Sequence, residues 1–310
     1  MDFHALDRRR LLRQATLLAI GATLDASPAA LLAQELHALE VACAGSMRAM
    51  TEGPLKLAAA KTLSLDLRAH AQGADAVAQS IVDGSLRADV FLPITATPMM
   101  TVLRAGKAET AVPIARTEMV LVYSPKSRFA AQFEAAARGQ ANWWEILQQP
   151  GVRIGRSDPR ADPGGRNIIF MMMLAAKKYR QPDLVQKVLG DPLNPQQVGN
   201  GQARLQTGEL DAGASYRISA ISSHLPFITL PADVNLSSLN LHAEHPDLHL
   251  TFGERTFYPD PLAFYAAALG DAIDRKSADA FVQWLRGSEA QSLFRENGFQ
   301  PADAAVALHA

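Results

Sequence analysis

Residues 155–167 form a polar segment, rich in glycine and proline, that separates a short strand-like segment from an apolar one. Residues 152–154 before it are predicted to form the strand, and the apolar run 168–176 after it is predicted to form a helix. A turn that opens a helix presents free backbone N–H groups and the positive end of the helix dipole. Because this segment also carries carboxylates and guanidinium groups, we expect it to hold a small charged ligand.

Short strand segments alternate with helical ones in the first part of the chain. Strands are predicted at residues 39–44, 63–67 and 89–92, with helices at 50–62 and 76–83 between them. Such alternation is typical of βαβ units and of a largely parallel sheet. With 310 residues, the chain is too long for one sheet of this kind. We therefore predict an α/β fold of two lobes, each a mixed, mostly parallel sheet flanked by helices, with a ligand cleft between them.

The composition is that of a globular protein with no excess of either charge. Hydrophobic residues make up 48% of the chain, and 30 basic against 31 acidic residues give a formal net charge of -1. A nucleic-acid partner is not expected, because proteins that bind nucleic acids usually have a basic balance. The sequence contains neither the Walker A motif of ATPases nor the Gly-x-Ser-x-Gly elbow of hydrolases. These features favour a binding protein over an enzyme, and no cofactor is predicted.

Residues 1–33 have the organisation of an export signal. Three consecutive arginines at 8–10 precede the short apolar run 15–24, and small residues follow up to Ala33. The apolar run has about half of the ~20 residues that a membrane-spanning helix needs. The arginines before Leu-Leu-Arg resemble the twin-arginine signal, which exports folded proteins. We predict cleavage near Ala33 and a periplasmic location; the alternative is an amphipathic N-terminal helix.

Several polar turns fall at the carboxyl ends of predicted strands. They are Gly45-Ser46, Gly73-Ala74-Asp75, the segment 155–167 and Ser215-Tyr216. Ligands bind at this edge of open α/β sheets. We therefore expect these turns to come together around one cleft.

Segments spread along the chain resemble, in order, the periplasmic molybdate/tungstate-binding proteins of ABC importers. The segments that carry the resemblance are 41–47 (VACAGSM), 87–91 (RADVF), 115–121 (ARTEMVL), 155–163, 208–217, and 259–268 together with 294–299. The resemblance implies the type II solute-binding fold, with one lobe formed by residues 37–115 and 256–310 and the other by 116–255. It also implies a protein that captures a small oxyanion in the cleft and delivers it to a membrane permease, and we expect a monomer.

The resemblance implies that Gly45, Ser46 and Ala74 contact the oxyanion from the first lobe. Ser46 is expected to donate its hydroxyl and its N–H to an oxyanion oxygen. Ala74 stands where the family has a second serine, so it can offer only its backbone N–H. Gly201 falls where the family uses the amide of a helix N-terminus. An alternative role for Ser46 is that of a helix N-cap, which is common for a serine after a strand.

From the second lobe, the resemblance implies contacts by Asp162, Ser215 and Tyr216. Asp162 matches a carboxylate that approaches the metal in the tungstate branch, but Ser215 stands where its partner carboxylate is expected. Six-coordination of the metal needs two carboxylates, so Asp162 is a metal ligand only if the anion is six-coordinate. A lone buried carboxylate would repel a dianion, and Arg156 or Arg166 is therefore expected to neutralise it. The alternatives are a helix cap for Asp162, which precedes a proline, and a core position for Tyr216.

Two other functions remain open from the sequence. The cleft would also accommodate another anion, such as sulfate, phosphate or a small organic acid, because an anion needs only a local field. A twin-arginine signal often accompanies cofactor proteins, which leaves open an exported cofactor-handling enzyme.

Overall fold

The structure of the chain, a computed structural model, describes residues 35–160, 162–191, 201–302 and 305–310. The predicted export signal and its cleavage site lie outside the described residues. Among the residues that are described, no helix is both long and apolar enough to cross a membrane.

Strands and helices alternate along the described chain. The first part contains β1 (His37–Ala44), a 3-10 turn (Gly45–Met47), α1 (Arg48–Glu52), α2 (Pro54–Leu63), β2 (Leu65–Gln72), α3 (Ala74–Val82), β3 (Val90–Leu92), α4 (Ala96–Arg104), β4 (Thr110–Arg116), β5 (Met119–Tyr123), α5 (Ala130–Ala137) and α6 (Trp143–Leu147). The later part contains β6 (Ile154–Gly155), α7 (Pro163–Lys178), α8 (Leu184–Leu189), α9 (Gly201–Thr207), β7 (Ala212–Tyr216), α10 (Arg217–Ser222), β8 (Phe227–Thr229), α11 (Leu241–Glu244), β9 (Leu250–Phe252), β10 (Arg255–Phe257), β11 (Ala263–Ala268), α12 (Arg275–Leu285), α13 (Ser288–Glu296) and β12 (Leu308–His309). The α/β class is thereby confirmed.

The first sheet has six strands in the order β12-β4-β11-β3-β1-β2. β1 runs parallel to β2 and β3, whereas β11 is antiparallel to β3 and β4, and β12 is antiparallel to β4. Side chains alternate between the two faces of β1, as in any strand. Leu39, Val41 and Cys43 face a core layer that includes Phe281 of α12, and Ala42 faces the opposite layer. Helices therefore cover this sheet on both faces.

The second sheet has four strands in the order β6-β7-β5-β8 and a core of its own. β6 is parallel to β7, and β5 is antiparallel to both β7 and β8. All residues of β5 are buried. The buried side chains Ile169, Phe170 and Met172 of α7 belong to the same core. α7 is consequently fixed to the second sheet along most of its length.

The prediction of mixed sheets is confirmed, but the expected predominance of parallel strands is wrong. Among the described strands, antiparallel neighbours outnumber parallel ones in both sheets. Parallel pairs occur where helices cross over between the two strands, as from β1 to β2, whereas β11 and β12 join the first sheet late in the chain, running the other way. The lobe boundaries, residues 37–115 with 256–310 and residues 116–255, stay a prediction.

Asp211, directly before β7, is a buried carboxylate with four hydrogen-bond donors. Its Oδ2 accepts from the backbone N–H and the Nε of Arg153, each at 2.8 Å. Its Oδ1 accepts from Arg153 Nη2 at 2.9 Å and from Ser127 Oγ at 2.7 Å. Burial by itself would raise the pKa of Asp211, but the bonds from Arg153 and Ser127 hold it below the ordinary value. This carboxylate fixes the beginning of β6 against the beginning of β7.

We predict that Asp211→Asn lowers the free energy of unfolding by about 2 kcal/mol at neutral pH, because it removes a buried charged acceptor. Since the folded-state pKa is depressed, this contribution is fully present above the unfolded-state pKa of about 3.9 and is lost as the pH falls through the folded-state value. The difference between the two proteins, measured by urea denaturation, should therefore shrink below about pH 4.

The matched control is Asp271→Asn, which removes an exposed partner of Lys107. Its effect on the free energy of unfolding should stay within about 0.5 kcal/mol. Equal effects of the two substitutions would contradict a special role for Asp211.

Candidate functional site

A cavity of about 320 Å³ lies where turns from the two sheets meet. Its walls come from the ends of β1 and β2 in the first sheet and of β6 and β7 in the second. The described lining consists of Ala44, Gly45, Ser46, Gln72, Gly73, Ala74, Ile94, Met119, Val122, Gly155, Arg156, Ser157, Asp162, Gly164, Ile168, Gly201, Gln202, Leu205, Gly213, Ala214, Ser215, Tyr216 and Ser219. Every residue that the sequence predicts for the site lines this cavity except Arg166, and contact of these residues with a ligand stays a prediction.

Ser46 lies in the 3-10 turn after β1, and its hydroxyl oxygen is buried in the cavity wall. This Oγ has no hydrogen-bond partner within the described chain. The alternative role of a helix N-cap is not observed, because neither the 3-10 turn nor α1 receives a side-chain cap. A buried hydroxyl without a partner costs about 1–3 kcal/mol. Ser46 is therefore placed to donate to a molecule in the cavity.

The beginning of α3 forms the neighbouring part of the same wall. Ala74 is the first residue of α3, and Gly73 before it also lines the cavity. The first N–H groups of a helix have no acceptor within that helix. The positive end of the α3 dipole therefore lies at the cavity, although Ala74 offers no hydroxyl.

The described residues of the segment 155–167 form a tight turn and the beginning of α7. Asp162 is the N-cap of α7, and its Oδ1 accepts from the N–H of Gly164 at 3.2 Å. The helix-cap alternative for Asp162 is thus observed. The turn packs so closely on α7 that a Cβ atom at Gly165 would lie 2.5 Å from the carbonyl oxygen of Ser157. Only glycine fits there, and this contact sets Ser157 and Asp162 in the cavity wall.

Tyr216 ends β7, and its hydroxyl oxygen accepts a hydrogen bond from Nδ2 of Asn167 at 3.1 Å. The proton of this hydroxyl is left to donate to an acceptor in the cavity. Desolvation raises the pKa of Tyr216, and the carboxylate of Asp162 raises it further. The phenol consequently stays protonated at neutral pH, so it meets an anion as a donor.

Arg156 places a guanidinium group in the wall with only 5% of the residue exposed. Its Nη2 donates to the carbonyl oxygen of Asp191 at 3.0 Å. Burial lowers the pKa of Arg156, and the nearby charges of Asp191 and Asp158 oppose that effect. An arginine in a protein remains protonated nonetheless. Arg156 therefore supplies a fixed positive charge to the cavity.

Arg166 lies outside the cavity lining, and the expected pairing with Asp162 is not found. Its Nη2 donates instead to Oδ2 of Asp75 at 2.6 Å. The carboxylate of Asp162 is turned towards the backbone of α7, where it caps the helix. Of the two arginines predicted as charge partners, Arg156 is the one that lines the cavity.

Asp162 is the only carboxylate in the described lining of the cavity. Ser215 lines the cavity at the position where a second carboxylate was expected. Nor does any part of the described chain bring three or more His, Cys, Asp or Glu side chains together as metal ligands. The available donors are hydroxyls, helix N-terminal amides and a guanidinium, which bind the oxygens of an oxyanion rather than its central atom.

Four polar residues of the described lining are not among the predicted site residues: Gln72, Ser157, Gln202 and Ser219. Asn167, which donates to the Tyr216 hydroxyl, is not among the predicted residues either. Asn167 orients Tyr216 from α7, and its position carries a signal that could have found it. It is the last polar residue of the segment 155–167 before the apolar run 168–176. No comparable signal distinguishes Ser219 from other serines on short helices.

The chain is similar in sequence to known binding proteins. The family model for bacterial extracellular solute-binding proteins matches residues 39–300. An uncharacterized solute-binding protein of Petrotoga mobilis is 28% identical over 251 residues, which is 76% of this chain and 75% of that protein. The molybdate/tungstate-binding protein WtpA of Thermococcus kodakarensis is 26% identical over 259 residues, which is 76% of this chain and 72% of that protein.

Solved structures share the fold at low sequence identity. The periplasmic molybdate-binding protein of Azotobacter vinelandii superposes with a TM-score of 0.58 at 17% identity, covering 84% of this chain and 98% of that one. The sulfate-binding protein SubI of Mycobacterium tuberculosis superposes with a TM-score of 0.54 at 14% identity, covering 86% of this chain and 88% of that one. These matches confirm the predicted periplasmic-binding-protein fold.

We predict different outcomes for two substitutions of Asp162. Asp162→Asn keeps an oxygen that can accept from the N–H of Gly164, so it should retain the helix cap. Asp162→Ala removes the cap and should lower the free energy of unfolding by about 1 kcal/mol. Because the carboxylate repels an anion, Asp162→Asn should bind an anion in the cavity at least as tightly as the unmodified protein. Thermal unfolding and titration calorimetry measure the two effects. Loss of anion binding in Asp162→Asn would show instead that the carboxylate bonds to the central metal atom of the anion.

Proposed function

The chain belongs to the bacterial extracellular solute-binding proteins, and from that premise we propose that it binds a tetrahedral oxyanion, molybdate or tungstate, in the cavity between its two sheets. The observation that carries this proposal is the buried Oγ of Ser46, which has no hydrogen-bond partner within the described residues. An oxyanion oxygen would supply the missing acceptor, and hydrogen bonds to charged groups are the strong ones.

The remaining donors surround the same space from both sides. The N-terminus of α3 approaches from the first sheet, and the Tyr216 hydroxyl and the Arg156 guanidinium approach from the second. A bound tetrahedron would thus receive bonds from both walls. Ligand binding would favour the arrangement in which the walls are together, as in hinge closure around a ligand.

Molybdate and tungstate are proposed because of the relatives. The WtpA proteins of Thermococcus kodakarensis and Pyrococcus abyssi, at 26% and 25% identity over about three quarters of this chain, are described as molybdate/tungstate-binding proteins. Sulfate is the second candidate, because Ser215 stands in place of a second carboxylate. The described lining therefore offers donors to anion oxygens, and Asp162 is the one carboxylate in it that could bind a metal. Titration with the three anions in turn separates these candidates.

We further propose that the protein is a periplasmic monomer without enzymatic activity or cofactor. It would pass its anion to the membrane permease of an ABC importer. Membership of a family of extracellular binding proteins supports this role, and the predicted export signal at residues 1–33 supports the location.

We predict that Ser46→Ala weakens molybdate binding roughly tenfold to a hundredfold, the value of one hydrogen bond to a charged group. The same substitution should leave the melting temperature of the ligand-free protein unchanged or higher, because it removes a buried hydroxyl without a partner. Titration calorimetry and thermal unfolding measure the two quantities on one preparation.

Ser80→Ala, on α3 but outside the cavity lining, is the matched control and should bind like the unmodified protein. Undiminished affinity in Ser46→Ala would remove the main support for the site. A protein that binds none of the three anions would refute the proposed function itself.

Export by the twin-arginine route is proposed from the arginines at residues 8–10. Replacing all three by lysine keeps the positive charge but removes the guanidinium pair that the route reads. We predict that the full-length precursor then accumulates inside the cell, as measured by fractionation and immunoblotting. Normal processing of the lysine variant would refute this route while leaving export by another route open.

A further inference from the structure

Beside the cavity, an ion pair joins a helix that packs on the first sheet to a helix that packs on the second. Nη2 of Arg166, near the beginning of α7, lies 2.6 Å from Oδ2 of Asp75, in the first turn of α3. α3 packs on β1 and β2 of the first sheet, whereas α7 packs on β5 and β7 of the second. Ala74, next to Asp75, and Gly164, close to Arg166, both line the cavity. The pair therefore spans from one cavity wall to the other.

In addition to Asp75, two contacts hold the Arg166 guanidinium in place. Its Nη1 donates to the carbonyl oxygen of Pro159 at 3.0 Å, and its central carbon lies 4.2 Å from the centre of the Phe257 ring. The side chains of Arg166 and Asp75 are only 5% and 17% exposed. The guanidinium is thus preorganised for the carboxylate, and water has little access to the pair.

We propose that Asp75 and Arg166 form a clasp, a positioning pair that holds the two walls together and sets how long the anion stays in the cavity. This inference rests on the proposed function. Neither residue lines the cavity, so the clasp acts on the anion only through the walls. Anion and clasp both favour the same arrangement of the walls, so loss of the clasp reduces the population that retains the anion.

A different role for Arg166 would be to attract the anion by its charge, and Asp75→Asn separates the two roles. This substitution leaves the positive charge of Arg166 without its compensating carboxylate. If Arg166 acts by attraction, Asp75→Asn should bind the anion more tightly. If Arg166 acts in a clasp, Asp75→Asn should release the anion faster.

The test is the release of radiolabelled molybdate into an excess of unlabelled molybdate. We expect release from Asp75→Asn to be roughly tenfold to a hundredfold faster, as for loss of a hydrogen bond between charged groups, with little change in the association rate. The double variant Asp75→Asn/Arg166→Gln should release no faster than the more affected single variant, because both remove one interaction.

Asp233→Asn is the matched control. It removes the carboxylate that pairs with Lys178, which lies on the same helix α7 as Arg166. The charged atoms of this pair are also 2.6 Å apart, and neither residue lines the cavity. Its release rate should equal that of the unmodified protein. Release from Asp75→Asn at the control rate, or slower, would overturn the clasp.

Hydrogen exchange in the ligand-free protein tests the clasp even if no anion binds. Asp75→Asn should speed exchange in a peptide covering residues 155–168, which contains Arg166, whereas Asp233→Asn should not. Unchanged exchange there would overturn the clasp, whereas failure of the unmodified protein to bind any anion would refute only the proposed function. Should Asp75→Asn not fold, Arg166→Lys, which keeps the charge but loses the fork, gives the same test with a smaller effect.

Discussion

The close contact between the backbone of Ser157 and Gly165 is the constraint on which the second cavity wall depends. It folds the turn onto the beginning of α7, so that the turn and the helix present their side chains to one place. Three residues at the beginning of this helix then each make one interaction that the site depends on. Asp162 caps it, Arg166 reaches across to the first sheet, and Asn167 fixes the hydroxyl of Tyr216. One backbone contact thus organises the cap, the clasp and a donor of the site.

The electrostatics of the cavity are local, since the chain as a whole has a formal net charge of -1. Arg156 and the N-terminus of α3 provide positive potential, and Tyr216 stays protonated because its pKa is raised. The carboxylate of Asp162 opposes an anion, but the Gly164 N–H takes up one of its oxygens. The clasp adds no net charge beside the site. An anion can therefore be held in a chain that is not basic.

Local patterns predict the α/β class and single out polar turns at strand ends, several of which line the cavity. The type II fold and the particular contact residues are implied by the family resemblance and not by local patterns. Local patterns do not predict strand direction where the chain returns from elsewhere, as β11 does. Nor do they predict the partner of Arg166. Asp162 stands four residues before it, as a helical ion pair would require, but α7 begins only at Pro163, so Asp162 is a cap. The actual partner, Asp75, lies 91 residues away on α3, which packs on the other sheet, and no local spacing indicates it.

The burial of β1 on both faces also decides the chemistry of the single cysteine. Cys43 has no exposed surface, and its Sγ lies 3.8 Å from the Oγ1 of Thr51. Burial raises the pKa of this thiol to about 11. Disulfide exchange and oxidation proceed through the thiolate, which is scarce at neutral pH with such a pKa. In an oxidising compartment, this chain should therefore not form disulfide-linked dimers, even though its one cysteine has no second cysteine in the chain to pair with.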